Sequence, residues 1–147
     1  YERFVDERDF ESLVRNYFEQ YLGQFPAQVF DKINENFIRC SFFELVSRYL
    51  SSCYTFAIEQ NNSEGRADFE MTGIPGTDYY TDDRLVEFKY YKAKEAEKML
   101  GLDAPLPEHV KQVHRYAEDT LRHFPNYKVR TYVVYICANR GWKCWET

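Results

Sequence analysis

Three charged residues, Asp68, Glu87 and Lys89, carry the clearest chemistry in this sequence. Two ionised carboxylates that lie close together repel each other, and a divalent cation placed between them removes that cost. Mg²⁺ prefers such hard oxygen ligands and keeps several waters. A nearby lysine can orient an attacking water or stabilise charge on a pentavalent phosphate. The three residue types therefore indicate metal-dependent hydrolysis of a phosphodiester, with Mg²⁺ or Mn²⁺ as the cofactor.

Two predicted strands must bring these residues together. Residues 66–72 alternate between polar and apolar side chains, which is typical of a strand with one buried face. Residues 84–91 form the next predicted strand, in which Glu87 and Lys89 are two positions apart and must point to the same side. The midpoint between Asp68 and Glu87 falls near Thr77, in a turn-rich stretch. A hairpin with its turn there places the two carboxylates roughly opposite each other.

An ion pair on a strand surface is the plain alternative for an E-x-K pattern. The surrounding residues argue against it, because Leu85, Val86 and Phe88 make the segment apolar and β-prone. A charge in a partly buried position is costly unless it has a partner or a function. We therefore interpret Glu87 and Lys89 as candidate active-site residues.

The other elements predict an α/β fold, with a central mixed β-sheet flanked by helices in a single globular domain. Residues 1–33 are expected to form a helical segment that packs on the core formed by residues 34–147. Apolar residues at helical spacing predict helices over residues 9–22, from Val29 to Ile33, and over residues 34–50, 94–100 and 107–124. Alternating or continuous apolar runs predict strands over residues 54–59, 66–72, 84–91, 129–138 and 142–145. The last of these is expected to be an edge strand. Leu121 and Phe124 are assigned to the core stripe of the last helix.

Composition and charge restrict the partners. The net charge of −5 does not mark a nucleic-acid-binding protein, although residues 88–147 hold an excess of basic side chains and all three histidines. The four cysteines form no C-x-x-C pair and are interpreted as reduced, buried thiols of a cytoplasmic protein. No apolar run is long enough to span a membrane. The chain begins with Tyr1 rather than Met, which favours an origin in a longer protein.

Several short motifs, in their order and spacing, resemble the PD-(D/E)XK nuclease superfamily. The closer resemblance is to the bacterial branch usually found C-terminal to a predicted AAA-type ATPase domain. The motifs are Asn34-Glu35-Asn36-Phe37, a strand ending in Glu59, Gly65-Arg66-Ala67-Asp68, Glu87-Phe88-Lys89, and Gln112 with Tyr116. The resemblance covers roughly residues 34–138 and implies a restriction-endonuclease-like core.

The resemblance also implies roles for the central residues. Asp68 and Glu87 would bind the metal, with the Phe88 backbone carbonyl as a third ligand. Lys89 would be the catalytic cation. Glu35 would reach the site from the start of its helix, directly or through a metal-bound water; a solvated acid favoured by the helix dipole is the alternative.

Four further residues are candidates for substrate binding or support. Gln112 and Tyr116 are one helical turn apart and would contact substrate or brace the site, with packing as the alternative for Tyr116. Glu59 is either a member of the site or a surface acid, and Arg66 belongs to the motif of Asp68. Where members of the branch often carry a histidine after the helix glutamate, this chain has Arg39, and no role is assigned to it.

The expected partners are nucleic acid, with DNA favoured, and an N-terminal ATPase-like domain of the same protein. Phosphate contacts are expected from Lys92, Lys111, His114 and Arg115. A catalytically silent module that binds nucleic acid or protein remains the alternative function. A domain that mainly docks on its ATPase-like neighbour is a third possibility.

Overall fold

The structure, a computed structural model, describes residues 1–59 and 67–147, except for the side chains of Glu2 and Asp6. It contains a five-stranded mixed sheet in the order β1-β2-β3-β4-β5, with helices on both faces. The strands are β1 (Tyr54–Ile58), β2 (Phe69–Gly73), β3 (Asp82–Tyr91), β4 (Lys128–Cys137) and β5 (Gly141–Glu146). The helices are α1 (Glu2–Glu7), α2 (Phe10–Asn16), α3 (Glu35–Leu50), α4 (Ala93–Leu100) and α5 (Pro107–His123). The predicted α/β fold with a mixed sheet is confirmed.

The N-terminal segment differs from its prediction in detail. Helix α1 was not predicted, because six residues are too few to show a helical period. The helix predicted over residues 9–22 is α2, continued by a π-helical turn (Tyr17–Tyr21) and a 3₁₀ turn (Leu22–Gln24). A second 3₁₀ turn (Ala27–Asp31) follows Pro26, which ends the preceding helical path.

The β2–β3 hairpin has the register that the sequence predicted. Phe69 pairs with Val86 and Thr72 with Asp83, so Asp68 precedes the ladder at the position facing Glu87. Strand β2 begins at Phe69, later than predicted. Gly73 ends β2 where a Cβ atom would lie 1.6 Å from the Tyr79 carbonyl oxygen, so only glycine lets the two backbones approach this closely.

Strands β3 and β4 are parallel, and β5 pairs antiparallel with β4 at one edge. A parallel pair needs a crossover connection, which α4 and α5 provide. The carboxyl ends of β3 and β4 therefore meet at the same edge of the sheet. Because α4 begins two residues after β3 ends, its start lies at this edge as well.

The sheet has an apolar cluster on each face. Phe4, Phe42 and Phe88 belong to the cluster shared with α1–α3, whereas Leu85 and Val113 belong to the cluster shared with α4 and α5. Alternate residues of β3 thus point to opposite faces, as predicted.

The assignment of Leu121 and Phe124 to the core is wrong. Their side chains are 40% and 51% exposed. Both lie beyond Val113 and Tyr116, the buried residues of α5, and Phe124 instead stacks on Tyr127 just before β4, with ring centroids 4.8 Å apart.

The four cysteines are free thiols. Cys137 is buried as predicted, whereas Cys40, Cys53 and Cys144 are only partly buried. Within the described ranges, no helix combines the length and the apolar character needed to cross a bilayer.

Candidate active site

Asp68 is held by two different elements. Its Oδ1 accepts a hydrogen bond from Arg39 Nη1 of α3 at 2.9 Å, and its Oδ2 accepts one from the Phe88 backbone N–H of β3 at 3.0 Å. The Arg39 and Asp68 side chains are only 7% and 9% exposed, so this ion pair is largely desolvated. The carboxylate is therefore fixed in position before any ligand arrives.

Glu87 is almost completely buried, with 1% of its surface exposed. Its Oε1 lies 3.4 Å from Lys89 Nζ, while its Oε2 is buried and has no hydrogen-bond partner among residues 1–59 and 67–147. Burial disfavours the charged carboxylate, and the negative charge of Asp68 adds to this, so the pKa of Glu87 is raised to about 8. A cation between Asp68 and Glu87 would remove both penalties.

Lys89 stays protonated at this position. Burial lowers its pKa, but the carboxylates of Glu35, Glu87 and Asp68 raise it by more, so the pKa lies above its ordinary value. Its Nζ lies 4.0 Å from Glu35 Oε2. An ammonium group with a raised pKa donates hydrogen bonds and stabilises negative charge; it does not accept a proton at neutral pH.

The start of α3 delivers two side chains to the site. Asn34 caps the helix by accepting a hydrogen bond from Phe37 N at 2.9 Å, which fixes where the helix begins. Glu35 and Arg39 are four residues apart and so share a helix face. Sequence reasoning assigned no role to Arg39, although its spacing from Glu35 was the signal that could have found it.

The remaining predicted residues lie in different surroundings. The Glu59 backbone N–H donates to the Asp68 carbonyl at 3.2 Å, and Glu59 and Tyr116 both line a cavity of about 260 Å³. Gln112 Nε2 donates to the Tyr116 hydroxyl at 3.2 Å, and Tyr116 is buried in the α4–α5 cluster. In the described part of the chain, neither Gln112 nor Tyr116 hydrogen-bonds to Asp68, Glu87 or Lys89. Arg66 lies outside the described residues.

A second residue that sequence reasoning missed is His109, near the start of α5. Its Nδ1 lies 2.6 Å from the Tyr135 hydroxyl. Burial lowers the pKa of His109, with Lys89 acting in the same direction and Asp68 in the opposite one. The imidazole therefore lies within electrostatic range of the site.

The donor atoms fit a divalent cation that keeps its own waters. Over the two described ranges, no group of three or more His, Cys, Asp or Glu side chains could hold a metal ion by itself. Backbone and water oxygens must complete the shell, as Mg²⁺ commonly allows. The Phe88 N–H points to Asp68, and the N–H and C=O of one strand residue point to the same edge. The Phe88 carbonyl is therefore directed towards the Asp68 side, which supports it as a ligand.

A mixed sheet of this order, with two buried carboxylates and a lysine at one strand end, defines a restriction-endonuclease-like domain. The family model of the PD-(D/E)XK nuclease superfamily matches residues 33–146. The chain therefore belongs to the PD-(D/E)XK nuclease superfamily. No curated protein matches it.

Proposed function

We propose that this domain hydrolyses phosphodiester bonds of nucleic acid with the help of Mg²⁺ or Mn²⁺. Asp68, Glu87 and the Phe88 carbonyl would hold the cation. The proposal rests on the close approach of the Asp68, Glu87 and Lys89 side chains. The Oε2 atom of Glu87 is buried there and has no hydrogen-bond partner in the described part of the chain. A buried acceptor of this kind normally has a partner, so its position next to a second carboxylate favours a cation site.

Each side chain then has a distinct task. A bound cation supplies positive charge that offsets the negative charge developing on the phosphoryl group. The Lys89 ammonium, held near Glu87 and Glu35, orients the attacking water and stabilises charge on the phosphate oxygens. Arg39 keeps Asp68 in place.

The substrate that we propose is DNA rather than RNA. Lys92, Lys111 and Arg115 are exposed on or next to α4 and α5 and are available for phosphate contacts; His114 is exposed as well, with its Nε2 3.1 Å from Thr147 Oγ1. We also propose that the domain works in the cytoplasm, with which its free thiols are compatible, beside an ATPase-like domain of the same protein.

Cleavage of plasmid DNA in Mg²⁺ or Mn²⁺ tests the proposal. Lys89→Ala is expected to reduce the cleavage rate by about 10² to 10³, because one preorganised charge is lost at the phosphate. Lys98→Ala, an exposed lysine in the last turn of α4, is the matched control and should cleave like wild type. Cleavage that persists in Lys89→Ala, or that needs no divalent cation, would refute the proposed mechanism.

One observation favours a catalytically silent module as the second candidate. Arg39 already occupies an oxygen of Asp68 that a cation would use. A silent domain would bind an oligonucleotide, or a protein partner, and would show no cleavage in Mg²⁺ or Mn²⁺ under conditions where the chain is folded.

A further inference from the structure

Leu106 and His109 contact the Tyr135 hydroxyl, beside the proposed active site. The Leu106 backbone N–H donates to this oxygen at 2.8 Å, and His109 Nδ1 lies 2.6 Å from it. The His109 and Tyr135 rings are perpendicular, with centroids 5.5 Å apart. Tyr135 itself is completely buried. The imidazole is thus fixed both by a ring contact and by a hydrogen bond.

The hydrogen bond at Tyr135 determines which nitrogen of His109 carries the proton. A phenol hydroxyl is a stronger acid than a neutral imidazole N–H, and the imidazole nitrogen is the better acceptor. The Leu106 N–H occupies only one of the two lone pairs of the Tyr135 oxygen, so the choice rests on this difference in acidity, which directs the Tyr135 hydroxyl hydrogen to His109 Nδ1. Neutral His109 then carries its hydrogen on Nε2. Within the described residues, Nε2 has no hydrogen-bond partner, and the side chain is partly exposed.

The position of Tyr135 places this group next to Lys89. The two residues pair directly across β3 and β4, and side chains at paired positions leave the same face of the sheet. The influence of Lys89 and Asp68 on the pKa of His109 agrees with this short separation. A neutral donor here can bind an anionic oxygen without adding positive charge near a cation site.

We propose that His109, positioned by Tyr135, donates its Nε2–H to a non-bridging oxygen of a nucleic-acid phosphate bound beside Lys89. The inference rests on the proposed function, because it takes nucleic acid as the ligand of this site. It assigns a contact to a residue outside the motif of Asp68, Glu87 and Lys89.

Two substitutions test this contact, because each places an amide nitrogen near one of the two imidazole nitrogens of His109. In His109→Gln the amide nitrogen stands near the position of Nε2, whereas in His109→Asn it stands near Nδ1. Affinity for a duplex DNA oligonucleotide, measured in EDTA so that no cleavage occurs, should fall about tenfold in His109→Ala and His109→Asn. It should stay near the wild-type value in His109→Gln. Equal affinity in all four chains would overturn the proposal.

A nuclear magnetic resonance measurement separates this inference from the proposed hydrolysis. In the metal-free wild-type chain, the ¹⁵N shifts of His109 should show hydrogen on Nε2, and added inorganic phosphate should move the Nε2 resonance. Hydrogen on Nδ1, or no response to phosphate, overturns the role of His109 whatever the cleavage result. A normal phosphate response and the expected affinity order, without cleavage by wild type, would support the contact and refute the hydrolysis.

Discussion

At the scale of single residues, the pair of Arg39 and Asp68 determines the state of the cation-free site. Both side chains are buried, and breaking such a pair leaves a charge without compensation. Arg39 therefore fills part of the electrostatic role that the proposed divalent cation would take, and the two cations would compete for the same carboxylate.

Replacing Arg39 with glutamine tests this competition. Arg39→Gln is expected to lower the free energy of unfolding of the metal-free chain by about 3 kcal/mol, because Asp68 loses its partner. Mg²⁺ should restore more stability in Arg39→Gln than it adds to wild type. Urea denaturation with and without Mg²⁺ measures both effects. Arg48→Gln is the control, since its pair with Glu44 on the same helix is exposed and contributes no more than about 1 kcal/mol.

The sequence predicted some site residues and missed others for a physical reason. Glu87 and Lys89 share a strand and Asp68 lies across one hairpin, so strand periodicity alone brings them together. Arg39 and His109 belong to two helices, and their place depends on how α3 and α5 pack on the sheet. A local pattern carries no information on that packing.

At the scale of elements, the β2–β3 hairpin carries a second buried carboxyl group, Asp83. Thr72 Oγ1 donates to Asp83 Oδ1 at 3.1 Å across the two strands. Burial, and then the nearby charge of Glu70, raises the pKa of Asp83 from its ordinary value of 3.8 to about 8. The unfolded chain therefore releases this proton at a lower pH than the native chain does. Between pH 3.8 and about pH 8, the free energy of unfolding of wild type therefore falls as the pH rises.

Asp83→Asn should remove this pH dependence, because asparagine does not ionise. The difference in free energy of unfolding, Asp83→Asn minus wild type, should increase by about 1 to 3 kcal/mol between pH 5 and pH 8 and then level off. Denaturation in EDTA at a series of pH values measures it. Asp78→Asn, at an exposed position between the same strands, should follow wild type. If the stability of Asp83→Asn changed with pH in parallel with that of wild type, the raised pKa of Asp83 would be contradicted.

Element boundaries show where sequence patterns stop being informative. The predictions for α4, α5 and β5 lie within a residue of the structure, since proline and glycine mark their ends. Strand β2 begins only at Phe69, and just before it the Asp68 side chain accepts the hydrogen bond of the Phe88 N–H. The last turn of α5 keeps its apolar period, but Leu121 and Phe124 lie beyond Val113 and Tyr116, the buried residues of the helix.

At the scale of the whole molecule, the N-terminal segment completes the core. The family model matches residues 33–146, yet Phe4, Phe10 and Tyr17 are buried in the same cluster as Phe42 and Phe88. These residues cover one face of the sheet, while α4 and α5 cover the other. The site lies at the carboxyl edge of β3, where the start of α3 meets the strand, so its geometry depends on both layers.

Binding of Mn²⁺ to the metal-free chain, followed by calorimetry, is the most direct test of a cation site between Asp68 and Glu87. We expect a single bound ion in wild type, with an affinity at least about tenfold weaker in Asp68→Asn and in Glu87→Gln. Glu97→Gln, at an exposed position of α4, should bind like wild type. Equal Mn²⁺ affinity in wild type, Asp68→Asn and Glu87→Gln would show that these two carboxylates do not hold the ion.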